Sequence, residues 1–350
     1  MRIAHIHWSL GTGGIETMLP DIANEQAKNN EVALVIINDW VEPSILAKVN
    51  QERVKVVLLN RHEGSKNPWP IIKLNLFLMK FRPDVIHCHA YNQVRLIFSL
   101  KGNLIRTIHN TNNIVSPREF PKFKKLITIS KAVYDETYEQ GFESVQIDNG
   151  IPINSINHTR NKFFSDGKLH FIQVSRLDIE QKGQDILIKA LKIVKDDFKN
   201  DNFVMHFVGS GGDEEKLQQM VISLNMGNHV VFEGLKNQEW VYDNLCNYDL
   251  FIQPSRYEGF GMTLTEALQN ACVPMAFDNF SVLHDILTDG ENGYIIPSGN
   301  ETYYAKRLLS LMSNDQTRME MAIRGLESSN KFSIENVGNK WLELFNSLMI

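Results

Sequence analysis

Apolar residues along this 350-residue chain fall in short, nearly unbroken runs separated by stretches of helical periodicity. In the first half, "RIAHIHW" reads as a strand, and "GTGGIETMLPDIANEQAKN" as a glycine turn entering an amphipathic helix. "EVALVII", "VKVVLLN", "DVIHCH", "LIRTIHN", "KLITIS" and "VQIDNG" read as further strands, and "PWPIIKLNLFLMKFRP" as a helix between prolines. Strands without polar alternation, separated by helices, predict a parallel sheet covered on both faces. The second half repeats the plan. Strand "LHFIQVSRL", helix "GQDILIKALKIVKDDF", strand "NFVMHFVGSG" and helix "DEEKLQQMVISLNM" lead to "VVFEG", "DLFIQPS" and "CVPMAFD".

Between the halves, "DNGIPINSINHTRNKFFSDGK" (148–168) is rich in Asn, Ser, Gly and Pro and low in periodicity, which places a domain break there. The expectation is an α/β protein of two doubly wound, Rossmann-like domains, 1–160 and 161–333. An amphipathic helix at 334–350, with Trp341, Leu342 and Phe345 on one side, packs back on the first domain. Two such domains facing each other put the carboxyl ends of both sheets on one cleft, where ligands bind.

Composition is that of a globular protein, 43% apolar and 22% charged. No apolar run approaches the roughly 20 residues needed to cross a bilayer. "MRIAHIHWSLG" is a poor signal-peptide pattern, so the cytoplasm is the expected compartment. Cys88, Cys246 and Cys272 sit in apolar stretches without CxxC spacing and read as buried free thiols. Charge is uneven along the chain. From Arg53 to Lys131 there are fifteen basic residues against three acidic ones, and from residue 151 onward eighteen against twenty-six. A basic front half points to an anionic partner.

Several loops could hold a phosphate. In "SLGTGGIE" (9–16), Gly13 and Gly14 would let the backbone approach an anion at a helix amino end. The motif is not G-x-G-x-x-G, and a tight turn without a ligand explains it equally well. In "VSRLDIEQKG" (174–183), Arg176 ends a strand and Lys182 precedes the next helix, a pairing that suits a diphosphate. Two solvated loop cations are the alternative. Gly209, in the turn "VGSGGDEEKL" (208–217), fits backbone contact with a nucleoside.

In "PSRYEGFGMTLTEAL" (254–268), Glu258 and Glu266 flank a Gly-Phe-Gly turn. One reading makes Thr263 a helix N-cap with Glu266 as its capping-box partner and Glu258 a surface acid. It leaves Glu258 and the glycines unexplained. The other places a phosphate on the amides of Gly261, Met262 and Thr263, with an acid on either side accepting hydrogen bonds from the hydroxyls of a nucleotide sugar.

Arg-x5-Lys at 176–182 together with "EGFGMTLTE" at 258–266 resembles the E-x7-E glycosyltransferases of the GT-B fold, glycosyltransferase family 4. "PDVIHCHA" (83–90), "TIHN" (107–110), "ITISKAV" (127–133), "NGI" (149–151) and "GSGGDEEKL" (209–217) are similar to that family too. The resemblance implies transfer of a hexose or N-acetylhexosamine from a nucleotide-diphosphate sugar, UDP being the commoner carrier. Transfer would retain anomeric configuration and need no metal or other cofactor. The acceptor implied is a glycan, or a polyprenyl-diphosphate-linked glycan of bacterial surface polysaccharide synthesis.

By the same resemblance, Glu266 holds the ribose, Glu258 the donor hexose, and Arg176 and Lys182 the diphosphate. Gly13 and Gly14 bring backbone against the donor, and His109 lies near the reacting carbon. His89 and Asn110 are acceptor-side candidates. The absence of Asp-x-Asp agrees with metal independence, two cations taking the metal's electrostatic role. His5, His7, His87 and His89 lie at strand ends and read as structural, with no metal-ligand spacing among the five histidines.

The lysine–aromatic mixtures at 66–83 and 118–125 fit an interfacial helix on an anionic membrane or a pocket for a lipid diphosphate. A core helix with snorkelling lysines is the alternative. Modules that stack bases are absent, so no nucleic-acid partner is expected. Two other functions share this architecture: a sugar-nucleotide epimerase, and a non-catalytic nucleotide-sugar-binding subunit. Incubation with donor alone separates the epimerase from the transferase.

Overall fold

The computed structural model describes residues 1–11, 13–90, 92–98, 102–110, 116–152, 164–258, 260–280 and 282–349. Thr12, Gly259 and the expected boundary at 160/161 lie outside them. The chain forms two compact units, Met1–Pro152 with Lys331–Ile350, and Ile153–Asn330.

In the first unit, strands Arg2–His7 (β1), Glu31–Asn38 (β2), Val54–Arg61 (β3), Val85–Cys88 (β4), Asn103–Ile108 (β5), Lys125–Thr128 (β6) and Ser144–Gln146 (β7) form one sheet. Its order is β3-β2-β1-β4-β5-β6-β7 and every ladder is parallel. Val32 to Ile37 on β2 and Val85 and Ile86 on β4 are buried without alternation, because helices cover both faces. Helices Gly14–Gln26 and Ile334–Leu348 pack against each other on one of them. Trp341 and Phe345 turn inward, and the Trp341 ring lies 4.7 Å from that of His87. Leu342 is only half-buried.

In the second unit, Leu169–Val174 (β8), Phe203–Val208 (β9), Val230–Gly234 (β10), Leu250–Gln253 (β11), Val273–Phe277 (β12) and Tyr294–Ile296 (β13) form a parallel sheet ordered β10-β9-β8-β11-β12-β13. Phe171, Leu187, Leu191, Phe203 and Phe207 lie in its buried core. β13 escapes a periodicity reading because three residues carry no period.

Both sheets grow from their first strand in one direction and then reverse, between β1 and β4 and between β8 and β11. Loops at the carboxyl ends of strands beside such a switch are where ligands bind in this architecture. Cys88 and Cys272 are buried thiols outside any disulfide, as expected, whereas Cys246 is partly exposed. Among the described residues, no helix is long and apolar enough to cross a membrane.

Candidate functional site

In the second unit, β8 leads through Arg176 into a single helical turn, Ile179–Lys182. The Asp178 side chain caps that turn by accepting from the Gln181 amide at 3.0 Å. Gly183 ends it at φ +68°, and a Cβ there would collide with the Pro254 carbonyl oxygen. Glycine therefore lets Lys182 sit hard against the loop that follows β11. Lys182 Nζ meets Glu258 Oε1 at 2.5 Å, with the side chains only 14% and 12% exposed. Ser255 Oγ donates to the same carboxylate oxygen at 2.7 Å. Arg256 forks onto both oxygens of Asp185 at 3.1 and 3.0 Å, tying this loop to helix Gln184–Asp196. Glu258 is thus a paired, mostly buried acid and not a surface one.

Arg176 is placed differently. Its side chain is 70% exposed and donates to Gln181 Oε1 at 2.7 Å, with Asp178 at 3.8 Å. Gly209, at φ +140°, passes so close to the Ser175 carbonyl that no side chain fits. Asp213 follows on the same turn and accepts from the Ile179 amide at 3.0 Å and from Lys216 at 2.6 Å. Those bonds, Lys216 first, hold its carboxyl below the usual range. The loops after β8 and β9 are therefore stitched together.

Helix Met262–Gln269 opens at Gly261, which is in the left-handed region at φ +87° and makes no side-chain cap. The capping box of the first reading does not form. A glycine able to turn left-handed starts the helix at Met262, so Thr263 lies inside it and Glu266 falls in the second turn. The first-turn amides, Met262 and Thr263 among them, have no acceptor within the helix. Glu266 is buried beside Leu264, Thr265 and Ala267.

In the first unit, Gly13 caps helix Gly14–Gln26. The Glu16 carboxylate occupies the space a Cβ at Gly13 would fill, while the space at Gly14 is open. Glu16 lies 3.6 Å from His7 Nε2, and that partner holds its carboxyl below the usual range. Asn110 is exposed, directly after buried His109.

The histidines are closer together than their spacing indicates, because β1, β4 and β5 are neighbours in the sheet. His5 is in register with His87. A hydrogen-bonded string runs from Gln26 Oε1 to His5 Nε2 (2.8 Å), from His5 Nδ1 to His89 Nε2 (2.9 Å), and from His89 Nδ1 to His109 Nε2 (3.3 Å). Burial pushes His5 down to about 4 and His109 to about 3, and holds His89 well below its usual value. All three rings are neutral near pH 7.

The proton positions follow from the end of the string. The amide oxygen of Gln26 only accepts, so His5 donates from Nε2 and accepts at Nδ1. His89 must then donate from Nε2 and accept at Nδ1, and His109 must donate from Nε2. His109 is left with a bare lone pair on Nδ1, a buried atom with no hydrogen-bond partner in the structure. His87, His89 and His109 line a cavity of ≈ 10 Å³ with Thr107, Asp148 and Trp341, room for about one water.

The ring nitrogens of His5, His87 and His89 lie within 4.8 Å of one another, which corrects the expectation that no such grouping exists. Spacing along the chain could not show a grouping made by three neighbouring strands. Most of its ring nitrogens are engaged, those of His5 with His89 and Gln26 and His87 Nε2 with Thr107 at 2.7 Å, while His87 Nδ1 is buried without a hydrogen-bond partner among the described residues. Gln26 and Ser255 were missed by sequence reasoning. Gln26 leaves one signal, a polar residue on the apolar face of its helix.

Two parallel-sheet, Rossmann-like units with their candidate loops at the strand carboxyl ends define a GT-B architecture. Residues 155–327 match the family Glycosyl transferases group 1, and residues 12–155 match Glycosyltransferase Family 4. The chain belongs to the family 4 glycosyltransferases and is a transferase of that group. It is 31% identical over 192 residues to poly(ribitol-phosphate) alpha-N-acetylglucosaminyltransferase of Staphylococcus aureus, covering 54% of this chain and 38% of that protein. It is 22% identical over 342 residues to a Campylobacter jejuni enzyme, N-acetylgalactosamine-N,N'-diacetylbacillosaminyl-diphospho-undecaprenol 4-alpha-N-acetylgalactosaminyltransferase, covering 89% and 90%. Among solved structures, Anabaena HepE in complex with UDP and glucose superposes with a TM-score of 0.80 at 18% identity, over 99% of this chain and 100% of that one.

Proposed function

We propose that this protein transfers a hexose or N-acetylhexosamine from a UDP-linked donor, retaining anomeric configuration and using no divalent metal. The acceptor is a glycan or a polyprenyl-diphosphate-linked glycan of bacterial surface polysaccharide, met at the cytoplasmic face of the membrane. The observation that carries this reading is the Lys182–Glu258 pair, a buried ammonium and a carboxylate held together by two loops at the carboxyl edge of one sheet.

In this reading, Lys182 and the exposed Arg176 take the charge that builds on the departing diphosphate. The amides of Gly261, Met262 and Thr263 hold its oxygens at the helix amino end. Glu258 accepts from donor sugar hydroxyls, Glu266 from the ribose, and the backbone at Gly209 faces the nucleoside. Gly13 and Gly14 supply backbone from the first unit. His109 lies near the reacting carbon of the donor sugar, and His89 and Asn110 lie toward the acceptor. The acceptor oxygen bonds to the anomeric carbon as the carbon–phosphate-oxygen bond breaks, and the hydroxyl proton passes to the departing phosphate.

Acceptor chemistry is supported by charge. The Campylobacter enzyme is named for a diphospho-undecaprenol substrate and the Staphylococcus enzyme for a poly(ribitol phosphate), both anionic. The basic stretch from Arg53 to Lys131 suits such a partner. The test is incubation with UDP- and GDP-sugars and detergent-solubilised polyprenyl-diphosphate glycans, with and without EDTA. UDP release that requires acceptor, resists EDTA and yields the donor's anomer is the expected result. An epimer formed from donor alone would identify the epimerase instead, and strict dependence on a divalent cation would overturn metal independence.

A further inference from the structure

Helix Trp69–Phe81 carries two apolar faces. Pro70, Leu74, Leu78 and Phe81 are buried against the first unit's sheet. Trp69, Ile72, Leu76 and Met79 recur at intervals of three, four and three residues and so form a second stripe, which is not buried. Trp69 is 53% exposed, Leu76 54% and Met79 62%. Phe98, 72% exposed, is tied to the same helix, because its amide donates to Asn75 Oδ1 at 2.7 Å. Scattered apolar residues on a surface need no account, but a helical stripe extended by a phenylalanine marks an interaction site.

We propose that this stripe is a docking surface for an anionic lipid bilayer. Lys73 and Lys80, seven residues apart, run along one flank of it, and both are exposed. Lys66 and Arg82 stand at its two ends, and no carboxylate occurs between residues 64 and 83. Lys55, on edge strand β3, lies 5.7 Å from the Phe77 ring and widens the basic border. Apolar side chains that enter the acyl boundary, a tryptophan at the rim and lysines level with the headgroups are what an interfacial helix presents. A second copy of the chain suits the surface less well, since two-fold pairing would bring its lysines together with no acid on the helix to meet them. Segment 118–125 lacks this character, because Phe123 is buried and Phe120 packs on Phe142 at 4.6 Å.

The inference does not depend on the donor-site assignment, since it is tested by binding without sugar or acceptor. The full chain is sedimented with vesicles of phosphatidylcholine alone or of equal parts phosphatidylcholine and phosphatidylglycerol. Wild type is expected to partition about tenfold more strongly onto the anionic vesicles, and less so as salt rises. Leu76→Ser/Met79→Ser should lose most of that binding, and Lys73→Gln/Lys80→Gln should lose the preference for anionic lipid. All four positions are exposed, and unchanged circular dichroism and melting confirm folding. Equal partition of wild type and both variants, or no partition at all, overturns the proposal. So does a wild-type dimer in sedimentation equilibrium that Leu76→Ser/Met79→Ser converts to monomer, which would make the occupant a second copy.

Discussion

Lys182 and Glu258, 76 residues apart in the chain, form a 2.5 Å ion pair in which each side chain shields the other from solvent. Stability and proposed catalysis therefore meet in one contact, and alanine at either position cannot be neutral for the fold. Removing one partner strands the other charge, a loss of about 3 kcal/mol. Lys182→Ala and Glu258→Ala are expected to lower stability by that order in denaturant titrations and turnover by about 10²–10³-fold. The double variant Lys182→Met/Glu258→Leu separates the two effects. It should regain stability to within about 1 kcal/mol of wild type while staying inactive. Recovery of sugar transfer in the double variant would deny the pair its role at the donor.

The doubly wound plan was legible because both sheets are parallel and covered on two faces, so their strands appear as unbroken apolar runs such as "EVALVII". The loops after β8 and β11 were legible because Arg, Lys and Glu stand there at fixed offsets beside glycines. What lay hidden depends on neighbours distant in sequence. His5, His89 and His109 are far apart along the chain and become a string only when β4 docks between β1 and β5. Of the two readings of residues 258–266, the Thr263 capping box fails although a threonine three residues before a glutamate is a good local signal. The left-handed Gly261 supersedes it by starting the helix earlier.

Arg176 has the opposite relation to the fold from Lys182. It is mostly in solvent and held by one hydrogen bond that it donates to Gln181, so it contributes little to stability. Arg176→Ala should change unfolding free energy by less than about 0.5 kcal/mol. Turnover should nonetheless fall by about 10–100-fold, as a cation is lost from the diphosphate. Arg176→Lys should restore only part of the rate, because an ammonium cannot fork onto two phosphate oxygens. Initial-rate kinetics beside thermal melts decide this, and wild-type turnover in Arg176→Ala would remove Arg176 from the site.

Gly183 links backbone geometry to the same pair. An alanine there must adopt φ near +68° and clash with the Pro254 carbonyl, so either the turn bearing Lys182 or the loop bearing Glu258 has to move. Gly183→Ala is expected to lose about 2–4 kcal/mol of stability, with turnover falling as the pair separates. Gly227→Ala is the control. Its Cβ meets nothing within 4 Å, and the change should be within about 0.5 kcal/mol.

The buried histidines make the fold sensitive to acid, and Asp21 works against them. Burial lowers His5 to about 4, His109 to about 3, and His87 and His89 well below their ordinary 6.5. Between those values and 6.5 the unfolded chain binds more protons than the folded one, so stability rises with pH and is lost as pH falls through that window. Asp21 has the reverse sign. Burial raises its carboxyl from 3.8 to about 6, so the folded chain holds the extra proton there and acid is favourable at this position. Asp21 and His5 shift by similar amounts in opposite senses and nearly cancel, leaving the net acid lability to His87, His89 and His109. Asp21→Asn removes the opposing group. That variant is expected to be more stable than wild type at pH 7 and to lose stability more steeply between pH 6 and pH 4, as followed by thermal melts across a pH series. A wild-type slope in the variant would show that Asp21 does not titrate in this window.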